Sequence, residues 1–361
     1  PTQLILIDRS VDLLTPTITQ MNYEGIIAEF FGIDCGLVKI QDEKGNQQLQ
    51  LLSSKEDDLF KTIRSMNLQE ASAEITRRTK EVSDTFSQKA SSGSLEEGLQ
   101  KFRETAKVSV ANKTLIDHLN LTNKSIEQMD HSKYFRQIMN EEANALSGAS
   151  SMKSMLTEML ESGEDFIQII RILSLESLLK GGFDQKEYAK LVNQICFNYG
   201  FQMSLYLIRL LECGIFTQQG SNAFKWSKFV KDFRLYLPDF DQLDPPPQEA
   251  FPYLGYVPLS IRFIQKVLNG EFASVAKALS EIKQESYDIG NETAGSRKSG
   301  NILVCYLGGT THSELNALRR LELHDPEYQN VSFQLLTTSM ISANEFFENM
   351  SYLIPGWSSK V

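Results

Sequence analysis

Three groups of residues carry side chains and spacings that could do chemistry. Asp8, Arg9 and Asp12 set two carboxylates and a guanidinium directly after the apolar run Leu4 to Ile7, at the exit of a strand, where α/β sheets place their sites. A catalytic acid pair needs a further base, metal or cofactor motif. The sequence supplies none, so the expectation is an ion-pair cluster bracing the turn. Gly308 and Gly309 stand between ILVCYL and TTHSELNALRRL, a strand, turn and helix that could offer backbone N–H groups to a phosphate. With no GxxxxGK[ST] and no GxGxxG, the glycines read as a tight turn. His312, Ser313 and Glu314 are consecutive, so they leave one helical turn in different directions, and no GxSxG elbow exists. His118, His131 and His324 lack HxxxH or HExxH spacing and read as surface residues. Cys35, Cys196, Cys213 and Cys305 lie far apart without CxxC spacing, signalling neither a disulfide framework nor zinc. A reducing, cytosolic setting fits. The expectation is a chain with no catalytic residues, no metal and no cofactor.

These residues need elements to hold them. A chain of 361 residues exceeds one ordinary core, so two or three packed units are expected. With 41% hydrophobic and 23% charged residues, the composition is globular rather than disordered. The net charge of −10 opposes phosphate backbones and anionic lipid surfaces, which argues against nucleic acid as a partner. No apolar run approaches the roughly 20 residues a membrane-crossing helix needs. The opening at Pro1, almost directly into a strand, reads as a piece of something longer.

Leu4 to Ile7 reads as a buried strand. Leu37 to Ile40 and Gln47 to Leu52 flank the turn-rich QDEKGN, the pattern of a hairpin. From Lys55 to about Phe216 the periodicity is helical, as in Phe166 to Leu179 and Tyr188 to Leu211. Strand signals return at Ile302 to Leu307 and Val331 to Leu336. A lone strand cannot satisfy its backbone, so the first strand should pair with the late ones. Strand–helix alternation at the C-terminal end implies parallel pairing. The expected fold is therefore a discontinuous α/β domain with a mostly parallel sheet and a large all-α insertion. Pro245 to Pro247 and the polar stretch from about Glu285 to Gly300 read as linkers.

Within the insertion, Ile75, Thr79, Val82 and Phe86 recur at helical spacing, and the pattern resumes at Leu95, Leu99, Phe102, Ala106 and Ser109. The short Ser91 to Ser94 between them forces the arms antiparallel, giving a helical hairpin. Between Lys61 and Lys113 there are ten Lys/Arg against seven Asp/Glu, so this stretch is basic on an acidic chain. Such a pair of helices could dock an acidic helical partner; the plainer reading is a seam that glues the arms and charges that solvate them.

The segment LILIDRSVDLLTPTITQMNYEGIIAEFFGI resembles the second domain of SM (Sec/Munc) family proteins, with Asp8, Arg9, Asp12, Thr15, Pro16, Gln20, Tyr23, Glu24 and Gly25 at the positions of the family's DRxxDxxTPxxxQxxYEG signature. Gly255 to Gln265 resembles its GYxPLSxR segment. ILVCYLGGTTHSELNALRRL resembles its late strand, glycine turn and helix, and SMNLQEASAEITRRTKEVSDTF resembles an arm of its central hairpin. The likeness is strongest to the class C vacuolar protein sorting branch.

That resemblance implies segments 1–50 and 222–361 as the two halves of the second domain, with 51–148 and 149–221 as helical domains 3a and 3b. The family's N-terminal domain is absent, so none of its surface can be assigned. The resemblance further implies a non-enzymatic SNARE chaperone, a subunit of an endosomal or vacuolar tethering complex, peripheral on late endosome and vacuole or lysosome through its partners. The hairpin, about Met66 to Val110, would template SNARE helices, with Arg77, Arg78, Lys80, Lys89, Lys101 and Arg103 as candidate contacts. A partner tethering subunit would bind the later helices. Asn198 to Leu210 is apolar nearly all round, more than one buried face requires, so Tyr199, Phe201 and Met203 are the candidates. Against this stand a nucleotide-binding α/β enzyme built on the glycine turn and a purely structural tether subunit.

Overall fold

The structure is a computed structural model and describes residues 2–41, 47–88, 95–220, 224–289 and 298–351. In chain order the elements are β1 (Thr2–Asp8), α1 (Tyr23–Phe31), β2 (Leu37–Gln41), β3 (Gln47–Leu51), α2 (Asp58–Ile63), α3 (Leu68–Gln88) and α4 (Leu95–His131). There follow α5 (Phe135–Ser147), α6 (Lys153–Ser162), α7 (Phe166–Lys180), α8 (Gln185–Tyr199), α9 (Met203–Glu212), α10 (Ser227–Asp232), α11 (Leu259–Leu268) and α12 (Phe272–Glu281). The chain closes with β4 (Gly300–Leu307), β5 (Thr310–Thr311), α13 (His312–His324), β6 (Val331–Thr337), β7 (Met340–Ile341) and α14 (Ala343–Ser351). Contacts group them into two compact units, one of Pro1–Gln20 with Tyr134–Val361 and one of Met21–Lys133.

The first unit holds a parallel sheet in the order β1-β4-β6. Leu4 sits opposite Leu303 and Ile7 opposite Tyr306, while Ile302 sits opposite Phe333. The two ends of the chain therefore meet in one sheet, as the unpaired backbone of Leu4 to Ile7 requires. Alternation sorts the side chains: Ile7, Ile302, Val304 and Tyr306 point into the core, whereas Leu4, Leu6 and Leu336 are exposed on the other face. The buried face shares one hydrophobic core with α5, α6, α7 and α9. Within that core α7 is buried on nearly every side from Phe166 to Leu179, which is why its sequence carries no polar stripe.

The second unit is built on the antiparallel pair β2 and β3, with Leu37 opposite Leu51 and Ile40 opposite Gln48. Val38 and Ile40 point inward onto Tyr23, Ile27, Phe60, Ile63, Ile75 and Leu121. The start of α3 is fixed by a reciprocal cap, in which the Asn67 side chain accepts from the Glu70 amide and Glu70 accepts from the Asn67 amide. α3 packs against α4. Its 21 residues and the 37 of α4 correspond to lengths of roughly 30 and 55 Å at about 1.5 Å per residue. The described seam is Ala71 and Ile75 against Leu115 and Leu121, with Val82 half-buried. Thr79 corrects the expected spacing: it is exposed, and its hydroxyl donates to the Ile75 carbonyl, because a threonine that satisfies itself on its own helix has no need of the seam. The side chains of Phe86, Leu95, Leu99, Phe102, Ala106 and Ser109 lie outside the described residues, as do Ser91 to Ser94.

Candidate functional site

Arg9, Asp12, Thr15 and Gln20 of the opening signature converge with residues of the two late segments in one buried polar cluster, whereas Asp8 is exposed and accepts from the Ser10 amide and hydroxyl. β1 ends at Asp8, and a short 3-10 turn at Arg9–Val11 swings Arg9 inward. The Arg9 Nη1 donates to both oxygens of Glu314 at 3.0 and 2.8 Å, and its Nε donates to the Asp12 carbonyl at 3.0 Å. Asp12 accepts from the Thr15 amide at 3.0 Å, the Thr15 hydroxyl at 2.6 Å and the Ser260 amide at 3.2 Å. Ser260, at the start of α11, also donates its hydroxyl to Glu314 at 2.6 Å, and Thr15 shares a 2.9 Å bond with the Tyr256 hydroxyl. At the start of α13 a capping box closes the network: Thr311 N donates to Glu314 and Glu314 N to Thr311 Oγ1. Gln20 accepts from the Ser313 amide at 2.9 Å. Ser313 and Glu314 thus take up separate bonds within this cluster.

The electrostatics of this clasp follow from burial. Burial alone would raise the Glu314 carboxyl, but the charge and hydrogen bonds of Arg9 outweigh it and hold Glu314 below its usual range. At Asp12 burial wins over Arg9 and pushes the carboxyl up. Burial likewise pushes the phenols of Tyr253, Tyr256 and Tyr306 well up, so they stay neutral. The glycine turn belongs to the same assembly. Gly308 has φ +93, and a Cβ there would come within 2.8 Å of the Arg9 Cβ; only a glycine lets this turn close over the arginine. The carboxylate of Glu314 already occupies the N-terminal amide at Thr311, where a phosphate would have to bind.

Two further polar clusters were not foreseen. In the first unit Arg171 of α7 donates to the Thr17 carbonyl and the Thr19 hydroxyl and pairs with Glu142 of α5, which in turn accepts from the Thr19 amide. In the second unit His118, expected at the surface, is fully buried on α4. Its Nε2 lies 2.7 Å from Asp57, which caps α2, and its Nδ1 lies 2.8 Å from the Tyr23 hydroxyl. The ring also stacks on Phe60. A polar neighbourhood in sequence, ANKTLIDHLN, hid a histidine whose partners are some 60 and 95 residues away. His131 and His324 are exposed, as expected.

The candidate hairpin contacts are placed unevenly. Arg77 and Arg78 are about half exposed on α3, but Arg77 pairs with Glu74 and Glu81, and Arg78 with Glu74. Their hydrogen bonds hold Glu74 down at about 2, so part of the positive charge is balanced on the same helix. Lys80 is exposed. Lys89 lies outside the described residues. Lys101 and Arg103 fall within α4, but their side chains also lie outside them.

The apolar stretch Asn198 to Leu210 is two helices, not one. Gly200, at φ +100, ends α8, and α9 begins at Met203. Met203, Tyr206, Leu207 and Leu210 then face the core, while Phe197, Phe201, Leu205 and Ile208 face outward, with Phe197 90% and Phe201 82% exposed. Met203 is therefore corrected: it is a core residue, in step with Tyr206 and Leu210 by helical spacing. Tyr199 is half-buried and donates its hydroxyl to the Glu164 carbonyl. Phe201 stays on the surface, joined by Phe197, Leu205 and Ile208, which the sequence reading had not singled out.

The fold and clasp define a structural class, a discontinuous parallel α/β domain whose motif residues are spent on joining distant parts of the chain. The chain belongs to the Sec1 family, whose family model matches residues 1–349. It is similar to vacuolar protein sorting-associated protein 33A of Rattus norvegicus, 26% identical across 96% of this chain, and to the vacuolar protein-sorting-associated protein 33 homolog of Arabidopsis thaliana, 26% identical across 88%. It spans only 61% and 56% of those relatives' lengths. Among solved structures, the SM protein Vps45 in complex with the Qa SNARE Tlg2 covers 99% of the chain with a TM-score of 0.66 at 16% identity, matching 61% of that chain. The Unc18–syntaxin 1 complex from Monosiga brevicollis covers 97% with a TM-score of 0.63, also at 16% identity, matching 60% of that chain. At such identities the likeness is one of fold.

Proposed function

We propose that this chain is the SNARE-docking part of a non-enzymatic fusion chaperone, a subunit of an endosomal or vacuolar tethering complex. The observation that carries the reading is the packing of α3 against α4 as an inserted hairpin in a Sec1-family chain. A preformed pair of helices lowers the entropy cost of aligning further helices along it, and no bond need be made or broken. Support comes from the solved neighbours, which are complexes with a Qa SNARE and with syntaxin 1, and from the vacuolar protein sorting-associated relatives. Arg9, Asp12 and Glu314 are engaged in the clasp. Segments 1–50 and 222–361 are read as the sheet domain, with 51–148 and 149–221 as its two helical parts. Among the described residues no helix is long and apolar enough to cross a membrane, so membrane residence on late endosome and vacuole would come through partners.

The hairpin contacts are Arg77, Arg78, Lys80, Lys89, Lys101 and Arg103, and the tethering subunit sits on the patch around Phe201. The deciding experiment is retention of an assembled SNARE bundle by the chain and by its Arg77→Glu, Arg78→Glu, Lys80→Glu variant, with helicity checked by circular dichroism. The expected outcome is a loss of retention at unchanged helicity. Equal retention removes the hairpin charges from the mechanism and favours the purely structural tether reading.

A further inference from the structure

β3 is an edge strand. Among the described residues its only strand partner is β2. The Leu52 amide donates to the Gly36 carbonyl at 2.7 Å, in register with the ladder that follows. Antiparallel pairs alternate between bonded and non-bonded, so Gln48 and Gln50 turn their backbone groups toward β2. Gln47, Leu49 and Leu51 then aim N–H and C=O groups away from it. Buried in a protein core such a row would be costly, and at a surface it is a template for another strand.

The two faces of the hairpin differ. Val38 and Ile40 cover the core, whereas Leu49 at 65% and Leu51 at 50% exposure form an apolar strip with Leu37 on the opposite face. Beside the edge, between β3 and α4, lies a groove of about 640 Å³. Its wall carries the carboxylates of Glu56, Asp57 and Asp117 against one ammonium, Lys113. Asp57 remains ionised: burial would raise it, but hydrogen bonds from His118 and from the Phe60 amide outweigh burial and lower it. A strand laid on the edge would alternate its side chains between the apolar strip and the acidic groove.

We propose that the outer edge of β3 docks an extended segment of a partner polypeptide in which apolar and basic residues alternate. Its backbone would pair with Leu49 and Leu51, its apolar side chains would widen the Leu37, Leu49 and Leu51 strip, and its basic side chains would meet Glu56 and Asp117. Backbone pairing supplies affinity and the alternating side chains supply selectivity. This site takes a partner in a different conformation from the helices proposed for α3 and α4, and it does not depend on that reading.

The test uses the whole chain and a capped peptide of about nine residues that alternates lysine and valine, followed by fluorescence anisotropy. Saturable binding is expected. The same peptide with alternate backbone nitrogens methylated should bind about tenfold more weakly or worse, since each lost hydrogen bond in such a pairing removes of that order. A glutamate–valine peptide should not bind. In the chain, Leu49→Pro removes an outward amide that the β2 ladder does not use, and should cost a similar factor at unchanged circular dichroism. Glu56→Lys with Asp117→Lys, which leaves the backbone untouched, should reverse the preference toward the glutamate–valine peptide. Equal binding of the methylated peptide, or indifference to both sets of substitutions, overturns the proposal. Concentration-dependent dimerisation of the chain that the peptide cannot compete away would give the edge to a second copy, and overturns it equally.

Discussion

At the scale of single residues, the Arg9 clasp turns a motif with catalytic-looking chemistry into a fastening. A guanidinium between carboxylates is at home in an active site, yet here Arg9, Asp12 and Glu314 are buried and bonded to one another or to distant parts of the chain, while Asp8 stays at the surface on Ser10. Removing one partner leaves the other charge uncompensated in low dielectric. Arg9→Ala should therefore cost about 3–5 kcal/mol in unfolding free energy, whereas Arg9→Met with Glu314→Leu and Asp12→Asn should cost much less, because no charge is stranded. Urea unfolding of the three chains measures both, and equal costs would mean that packing rather than charge sets the penalty. The pH dependence has a definite sign. Glu314 has a lower folded than unfolded value, so its contribution is present above its ordinary value of 4.5 and is lost as pH falls through the lower folded value. Glu314→Gln should flatten the acid limb of the stability curve; an unchanged limb would assign acid lability to other groups. The motif made the presence of a cluster legible in the sequence. It did not reveal Arg171 with Glu142 or His118 with Asp57, since each of these pairs joins residues with nothing in their local spacing to announce a partner.

At the scale of elements, legibility depended on whether a segment's own pattern settled its environment. Leu4 to Ile7 needed a sheet and found β4, because an unpaired strand is too costly to leave alone. The hairpin of β2 and β3 was likewise readable from its turn residues and flanking apolar runs. Asn198 to Leu210 was not, because the apolar periodicity runs on from Tyr188 to Leu211 across Gly200, where the helix breaks. Restarting the helix at Met203 rotates the apolar positions into two sets, one for the core and one for solvent. This division gives a sharp contrast between neighbours. Phe201→Asp should leave the melting temperature within about 2 °C of the parent, since exposed substitutions change little, whereas Met203→Asp should cost several kcal/mol, roughly 3 or more, by burying a carboxylate without a partner. Thermal unfolding by circular dichroism separates the two outcomes, and capture of a cognate tethering subunit should be lost with Phe201→Asp alone. Capture unaffected by Phe201→Asp, and by Leu205→Asp beside it, would release the patch from that role.

At the scale of the whole chain, charge is distributed against its own average. The molecule carries a net −10, yet Lys61 to Lys113 holds ten cations to seven anions. An acidic helical partner is thus repelled by most of the surface and attracted only near the hairpin, a field that orients an encounter before contact is made. The intrahelical pairs of Glu74 and Glu81 with Arg77 and Arg78 reduce the short-range worth of those arginines, since exposed pairs contribute little and compete with an incoming carboxylate. They leave the summed charge of the segment as it is. Steering depends on that sum and is screened over about 8 Å at physiological salt. Binding of an acidic SNARE helix should then show its salt dependence in the association rate. Raising sodium chloride from about 0.05 to 0.5 M should slow association by roughly tenfold while dissociation changes by less than about threefold. Stopped-flow kinetics resolve the two rates. A salt effect carried mainly by dissociation would mean that the arginines leave their helical partners to form close ion pairs in the complex, and that contact rather than approach is where the basic charge acts.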